Sequence, residues 1–79
     1  MRLGFPNVNL RHAPEHQPLT IAALEPGSDD ERRRMRHLGL REGAQIEVLR
    51  RTTGGGLIVA VAGSRVALGR NLLAQMSVA

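Results

Sequence analysis

Apolar and polar residues alternate along several short stretches of this chain, and a period of two is typical of a half-buried β-strand. The alternation is clearest in the middle of the chain, where Ile46 and Val48 point to one face and Gln45 and Glu47 to the other. Leu49 follows and interrupts the polar face, so we expect this strand to be covered on both sides near its end. Four further stretches are predicted to be strands: residues 19–24, 57–62, 65–68 and 76–78.

A single short helix is predicted between the first two strands. Ser28 is followed three residues later by Glu31, which is the spacing of a capping box. Acidic residues at 29–31 and basic residues between 33 and 37 lie at the helix ends that suit their charges. Gly39 is expected to end the helix in the left-handed C′ position, which would bring Leu40 onto Met35. A helix of about ten residues is unstable alone in water, so we expect it to lie against the sheet.

Glycine-containing connections link the later strands. Residues 54–56 are three consecutive glycines, but a phosphate-binding loop needs Gly-Lys-Ser or Gly-Lys-Thr opening a helix, and a strand follows here. We interpret residues 50–56 as a mobile hairpin tip. Gly63 and Ser64 form a glycine-first connection suited to a type II′ turn. Residues 69–75 are predicted to be a one-turn crossover.

These elements predict a mainly β fold, a small and strongly bent barrel of about five strands with one short α-helix between the first two strands. Closing such a sheet would remove edges that otherwise pair with other chains. A chain of 79 residues is one domain and buries only about 60% of its unfolded surface. Association into a homo-oligomer would therefore add stability, although the sequence does not choose a number of copies.

We place the folded domain at residues 18–79 and interpret residues 1–17 as a flexible N-terminal arm, because this stretch shows no sustained period. Within the arm, His12, Glu15 and His16 match the H-x-x-E-H pattern of one zinc peptidase class. That chemistry needs both histidines on one helical face, and Pro14 disfavours a helix there. We interpret the match as coincidental, with adventitious metal binding by the two histidines as a further alternative.

Composition excludes several classes of function. The chain has no cysteine, so disulfides and thiolate metal sites are absent, and it has neither an apolar run long enough to span a bilayer nor a signal-peptide pattern. We therefore expect a soluble cytoplasmic protein. The formal charge of +4 arises from eleven arginines without lysine against seven acids, and Phe5 is the sole aromatic residue. Recognition of PxxP peptides and stacking of single-stranded bases both rely on aromatic side chains, so neither is expected.

The sequence also offers little reactive chemistry. Acidic residues fall in the first helical turn or alternate outward on a strand, and His37 lies where a cation suits a helix end. We therefore predict no catalytic residues and no enzyme activity. Asp29, Asp30 and Glu31 are adjacent, so a helix would fan them apart instead of converging them on an ion. No metal site and no cofactor are predicted.

Residues 35–48, Met-Arg-His-Leu-Gly-Leu-Arg-Glu-Gly-Ala-Gln-Ile-Glu-Val, resemble the signature of the FeoA family, small cytoplasmic SH3-like proteins of bacterial ferrous iron uptake. That signature is a hydrophobic residue near a helix end, Leu-Gly-Leu, two variable residues, Gly and an alternating strand. The similarity continues through residues 63–68 and 76–78 and covers residues 18–79. It implies an SH3-like barrel and a regulatory or scaffolding protein that docks on FeoB, the membrane iron transporter with a GTP-binding domain.

Two sets of residues follow from this resemblance. Leu38, Gly39 and Gly43 match the family motif, and we interpret them, with Ser28 and Glu31, as structural residues that hold the helix against the barrel. For the partner contact we predict an arginine-rich rim with one apolar anchor, a common composition of interface patches. Its members are Arg34, His37 and Arg41, with Leu40 as the apolar anchor if its side chain is partly exposed. A merely solvated face is an equal alternative for the arginines.

One functional alternative stays open at this point. An arginine-rich SH3-like barrel could instead bind nucleic acid through phosphate contacts, with an affinity that falls steeply as salt rises. The sequence does not specify whether a transporter GTPase would be activated, inhibited or only tethered.

Overall fold

Six antiparallel strands form a single sheet in the computed structural model, which describes residues 7–79. The strands are β1 (Val8–Asn9), β2 (Pro18–Leu24), β3 (Gln45–Arg51), β4 (Leu57–Val61), β5 (Ser64–Leu68) and β6 (Met76–Val78). Two α-helices accompany them, α1 (Asp29–His37) between β2 and β3 and α2 (Arg70–Leu73) between β5 and β6. A 3-10 helix, Leu10–His12, follows β1. The prediction of a mainly β fold is confirmed, with one strand more than expected. The extra strand places α1 between the second and third strands instead of the first two, and the predicted one-turn crossover contains a second short helix, α2.

The sheet bends at β2, which is shared by two layers. The strand order is β1-β6-β2-β3-β4-β5. The first half of β2 pairs with β3, as at Leu19 opposite Ile46, and the second half pairs with β6, as at Leu24 opposite Met76. A register shift after Ile21 lies at this bend. Bulges bend the strand that carries them, so β2 passes from one layer to the other at this point.

The core lies between the two layers and is entirely apolar among the described residues. Alternate residues of β3 and β4 point into it, and Met35 is the one buried residue of α1. Leu72 and Leu73 of α2 are also buried and close one end. Because no polar or charged residue of the described chain is buried, the interior offers no enclosed reactive centre.

Local signals define both ends of α1 as predicted. The Ser28 hydroxyl accepts a hydrogen bond from the Glu31 N–H at 3.1 Å. Gly39 has φ +81°, and the Leu40 N–H donates to the Met35 carbonyl at 2.8 Å, the long bond of a Schellman ending. The Glu31 carboxylate accepts a hydrogen bond at 2.8 Å from the side chain of Gln75. This bond links the first turn of α1 to the residue that precedes β6.

The described part of the predicted arm is packed against the sheet, which corrects the expectation for residues 7–17. Val8 pairs with Val78 of β6, and Leu10 and Ala13 are completely buried. Arg51 donates hydrogen bonds to the backbone carbonyls of Arg11 and Ala13 at 2.8 and 2.9 Å. The sequence did not predict this packing, because a two-residue strand and one 3-10 turn are too short to show a hydrophobic period. The contacts that hold them are tertiary. Residues 1–6, which the same prediction covers, lie outside the described residues.

The β4–β5 turn is displaced by one residue from its predicted position. Val61 pairs with Ser64, so the two turn residues are Ala62 and Gly63, with φ +52° and +77°. Positive φ at both positions defines a type I′ turn instead of the expected type II′ turn. Ala62 thus carries a side chain in the left-handed region.

Leu49 breaks the alternation of β3 because it is the extra residue of a bulge. Val48 pairs with Val59 and Arg50 with Ile58, which leaves Leu49 without an opposite residue. Leu49 remains partly exposed, so in the described structure the strand is not covered on both sides. The sheet also keeps two terminal strands, β1 and β5, among the described residues. The expectation that closure removes the edges is therefore wrong at β1 and at β5.

Candidate docking surfaces

Three of the four residues predicted to contact a partner are exposed, and the fourth is buried. Arg34, His37 and Arg41 lie on the surface, whereas Leu40 is only 1% exposed. The burial of Leu40 follows from the helix ending itself, because its N–H returns to Met35 and its side chain joins the core. The prediction of Leu40 as an apolar anchor is therefore corrected.

The exposed residues of this predicted rim do not all line one concave surface. Arg34 lines a shallow cavity of about 250 Å³ between the first turns of α1 and the start of α2, with Glu31 and Asn71. Arg41 lines a different and larger depression, and His37 lines neither. The two arginines therefore face different neighbours.

The depression beside Arg41, called here the helix groove, has a volume of about 430 Å³. Its residues are Leu24, Pro26, Arg32, Met35, Arg36, Leu40, Arg41 and Glu42. Arg32 and Arg36 are four residues apart on α1 and so share one face of the helix, where like charges repel weakly. Sequence reasoning did not select these two arginines, although their spacing in the printed sequence is the signal that finds them.

The family-motif glycines serve two different turns. A side chain on Gly39 would meet the Ala62 Cβ at 2.8 Å, so α1 approaches the β4–β5 turn closely here. Gly43 has φ +88° at the third position of a turn in which the Ala44 N–H donates to the Arg41 carbonyl at 3.1 Å. That position of a type II turn requires positive φ. Leu38 is half-buried and packs against the core.

A second surface lies on the outer face of the sheet and was not predicted as a site. It is called here the outer sheet groove and has a volume of about 550 Å³. Its residues are Leu49, Arg50, Ile58, Arg65, Val66 and Ala67. Leu49 and Ile58 are its half-buried apolar residues, two arginines flank them, and no acidic residue lines the groove. The Val66 side chain packs against the core instead. The interruption of alternation at Leu49 is the only sequence signal for it.

The H-x-x-E-H pattern does not form a peptidase-like site. His12 lies in the 3-10 helix, whereas His16 lies in a turn with φ +62° beyond Pro14. The closest approach of the Glu15 carboxylate to the His16 ring nitrogen is 3.9 Å. Within residues 7–79, no three His, Cys, Asp or Glu side chains lie close enough together to hold a metal ion.

Neither helix of the described chain is long and apolar enough to cross a membrane. Comparison with curated proteins finds no match. The family model described as the FeoA domain, in contrast, matches residues 8–79. This range includes the segment from Val8 to Gln17 that packs against the sheet.

Solved structures of FeoA proteins are also similar to this chain over most of its length. A crystal structure described as iron uptake regulatory protein (FeoA) is similar with a TM-score of 0.81 at 27% identity, over 92% of this chain and 96% of that one. A zinc complex of FeoA from Stenotrophomonas maltophilia, described as a prokaryotic SH3 domain protein, gives 0.75 at 25% identity, over 91% and 89%. A manganese-dependent transcriptional repressor gives 0.84 at 22% identity over 92% of this chain and 41% of the repressor, which shows the fold alone.

Proposed function

The chain belongs to the FeoA family, and we propose that it is a cytoplasmic accessory protein of bacterial ferrous iron uptake that docks on the cytoplasmic side of a FeoB-type transporter. The observation that carries this proposal is the family match over residues 8–79, which includes every described residue except Asn7. The similar protein described as an iron uptake regulatory protein supports the same role.

The fold supports a role in binding and not in chemistry. The family consists of non-enzymatic accessory domains, and this chain is accordingly not an enzyme. Its described interior is apolar, and its charged groups lie on the surface. Such a protein acts on a transporter by binding to it through its exposed surface. The transporter's GTP-binding region is the partner that the proposal names.

Arg34, His37 and Arg41 remain our proposal for residues that meet the transporter, now without Leu40 and with Arg32 and Arg36 added beside Arg41. All of them are exposed. Exposed charges at an interface rim act mainly on the rate of encounter and on salt dependence. We therefore expect reversal of one such charge to weaken function partially, whereas loss of the whole chain removes it.

The decisive genetic experiment is a clean deletion of the gene in its own bacterium, followed by measurement of radiolabelled ferrous iron uptake. Uptake is expected to fall to the level of a strain lacking the transporter and to return when the wild-type chain is supplied. Arg41→Glu should restore it only in part. Arg33→Glu is the matched control, because Arg33 lines none of the three concave surfaces described above and faces Asp30 at 3.4 Å. Normal uptake in the deletion strain would contradict the proposal.

No observation favours the nucleic-acid alternative. Residues 7–79 contain no aromatic side chain on which a base could stack. The arginines are also distributed over α1, β3, β5 and α2 instead of forming one stripe. A genomic observation would add support for the transporter, namely a neighbouring reading frame for a large membrane protein with G-x-x-x-x-G-K-S or G-x-x-x-x-G-K-T.

A further inference from the structure

β5 presents unpaired backbone groups along one side. It pairs with β4 alone and ends the strand order of the sheet. Val61 and Ser64 flank the two-residue turn, so they exchange backbone hydrogen bonds, and hydrogen-bonded and non-hydrogen-bonded pairs then alternate along the hairpin. Arg65 and Ala67 occupy the non-hydrogen-bonded positions. Their N–H and C=O groups therefore point away from β4, towards the open edge.

The outer sheet groove lies beside this same edge. Arg65 and Ala67 lie opposite Ala60 and Ile58 of β4, whose neighbours Val59 and Val61 point into the core, so these pairs occupy the outer face. The bulge residue Leu49 and Arg50 continue the groove onto β3. A strand added along β5 would place alternate side chains on this outer face, beside Arg65 and Ala67 at the near side of the groove.

The charges that line the outer sheet groove indicate which kind of segment would bind there. Arg50 and Arg65 are exposed, no carboxylate lines the groove, and neither arginine forms an ion pair within the described residues. A strand that carries both carboxylates and a branched apolar residue on one face, at every second position, complements both features. A second copy of this chain fits worse, because its own β5 carries the same arginine and no carboxylate to complement the groove.

We propose that an extended acidic segment of a protein partner adds as a strand along β5, bonding to the backbone of Arg65 and Ala67 and laying a carboxylate and an apolar side chain of one face beside Arg65 and Ala67, at the β5 side of the outer sheet groove. The proposal rests on the proposed function only for the identity of the partner, the cytoplasmic region of the transporter. The chemistry of docking rests on the open edge and the two arginines.

A peptide titration tests the edge without the transporter. The probe is the capped heptapeptide Ser-Glu-Thr-Val-Thr-Glu-Ser, in which both glutamates and the valine share one face of a strand. It is added to the ¹⁵N-labelled full chain, and its control carries lysine in place of each glutamate. The expected result is a set of amide shift changes confined to β5 and the outer sheet groove, with slowed hydrogen exchange at Arg65 and Ala67. Binding at the helix groove, no binding, or equal binding of the lysine peptide would overturn the proposal. So would concentration-dependent protection of β5 without peptide, which identifies a second copy as the occupant.

Two substitutions separate edge pairing from general loss of structure. Ala67→Pro removes an N–H that faces the open edge and leaves the bonds to β4 intact, and proline is tolerated at such edge positions. It should weaken peptide binding at least about tenfold, because a backbone hydrogen bond and close approach are lost. Arg65→Glu should weaken it by about tenfold through charge repulsion. Arg33→Glu is the control and should leave binding unchanged, and circular dichroism checks that each variant is folded.

The same variants, titrated with the transporter's soluble GTP-binding region, distinguish failure of this inference from failure of the proposed function. If the wild-type chain and Ala67→Pro bind this region equally well, the partner uses a surface other than β5. Strand addition at β5 is then contradicted, whereas the proposed function stands. If the folded wild-type chain does not bind that region, the proposed function falls, and the peptide titration still decides whether β5 accepts an acidic strand.

Discussion

Replacing Leu10 with alanine is expected to lower the free energy of unfolding by about 3 kcal/mol, the middle of the usual range for a fully buried leucine. Leu10 is completely buried within the core cluster, although it lies in a stretch without recognisable periodicity. A domain of this size has a total stability of roughly 4 to 12 kcal/mol. The variant should therefore unfold at a much lower urea concentration than the wild-type chain.

Val8→Ala is the matched control, because Val8 is 39% exposed and belongs to the same segment. Val8→Ala should lower the free energy of unfolding by less than about 1 kcal/mol, because the substitution removes little buried apolar surface. Far-UV circular dichroism is the appropriate probe of the urea transition, because the chain contains no tryptophan or tyrosine. Equal losses for the two variants would show that residues 8–13 are an appendage and not part of the core.

Gly39→Ala is expected to destabilise the protein by about 2 to 4 kcal/mol, through two separate costs. The backbone at φ +81° disfavours any side chain, and the new Cβ would lie 2.8 Å from the Ala62 Cβ. Gly43→Ala is the matched control, because Gly43 has a similar φ of +88° with no atom within 4 Å of the added Cβ. It should lose only about 1 to 2 kcal/mol from the backbone alone.

A double-variant cycle isolates the steric part of this cost. Ala62→Gly removes the opposing Cβ and also relieves a side chain held at φ +52°. Combined with Gly39→Ala, it should recover about 1 kcal/mol or more of the lost stability, because the two positions are in contact. Urea midpoints of the four proteins provide the measurement. Strict additivity, or equal losses for Gly39→Ala and Gly43→Ala, would contradict the close approach of α1 to the β4–β5 turn.

Elements specified by neighbouring residues were predictable from the sequence. The N-cap at Ser28 and the helix ending at Gly39 depend on chemistry within one helical turn, and both are observed. The strands with clear alternation were also found, within one or two residues at their ends. The family signature supplied the SH3-like topology, which short strands alone do not determine.

Features that depend on tertiary contacts were missed or misplaced. The pairing of Val8 with Val78 joins residues 70 positions apart in the sequence, and no local sequence pattern predicts it. The turn at Ala62 and Gly63 places an alanine where glycine or asparagine is usual, so the sequence favoured the wrong register. Such a choice is made by the pairing of β4 with β5 and not by the turn residues.

The candidate site illustrates a conflict between two predictions. A Schellman ending buries the residue after the glycine, so Leu40 could not both contact Met35 and serve as an exposed anchor. The outer sheet groove was hidden for a related reason. Leu49 interrupts the alternation, but only the register of β3 against β4 identifies a bulge that brings it beside Arg50 and Ile58.

Isothermal titration of the full chain into the purified GTP-binding cytoplasmic region of the bacterium's own FeoB-type transporter tests the docking role most directly. We expect saturable binding that weakens as salt rises from about 50 to 300 mM, because the exposed charges of this chain are predominantly arginines. Absence of any heat of binding at low salt, with both proteins shown to be folded, would contradict the role as a docking partner.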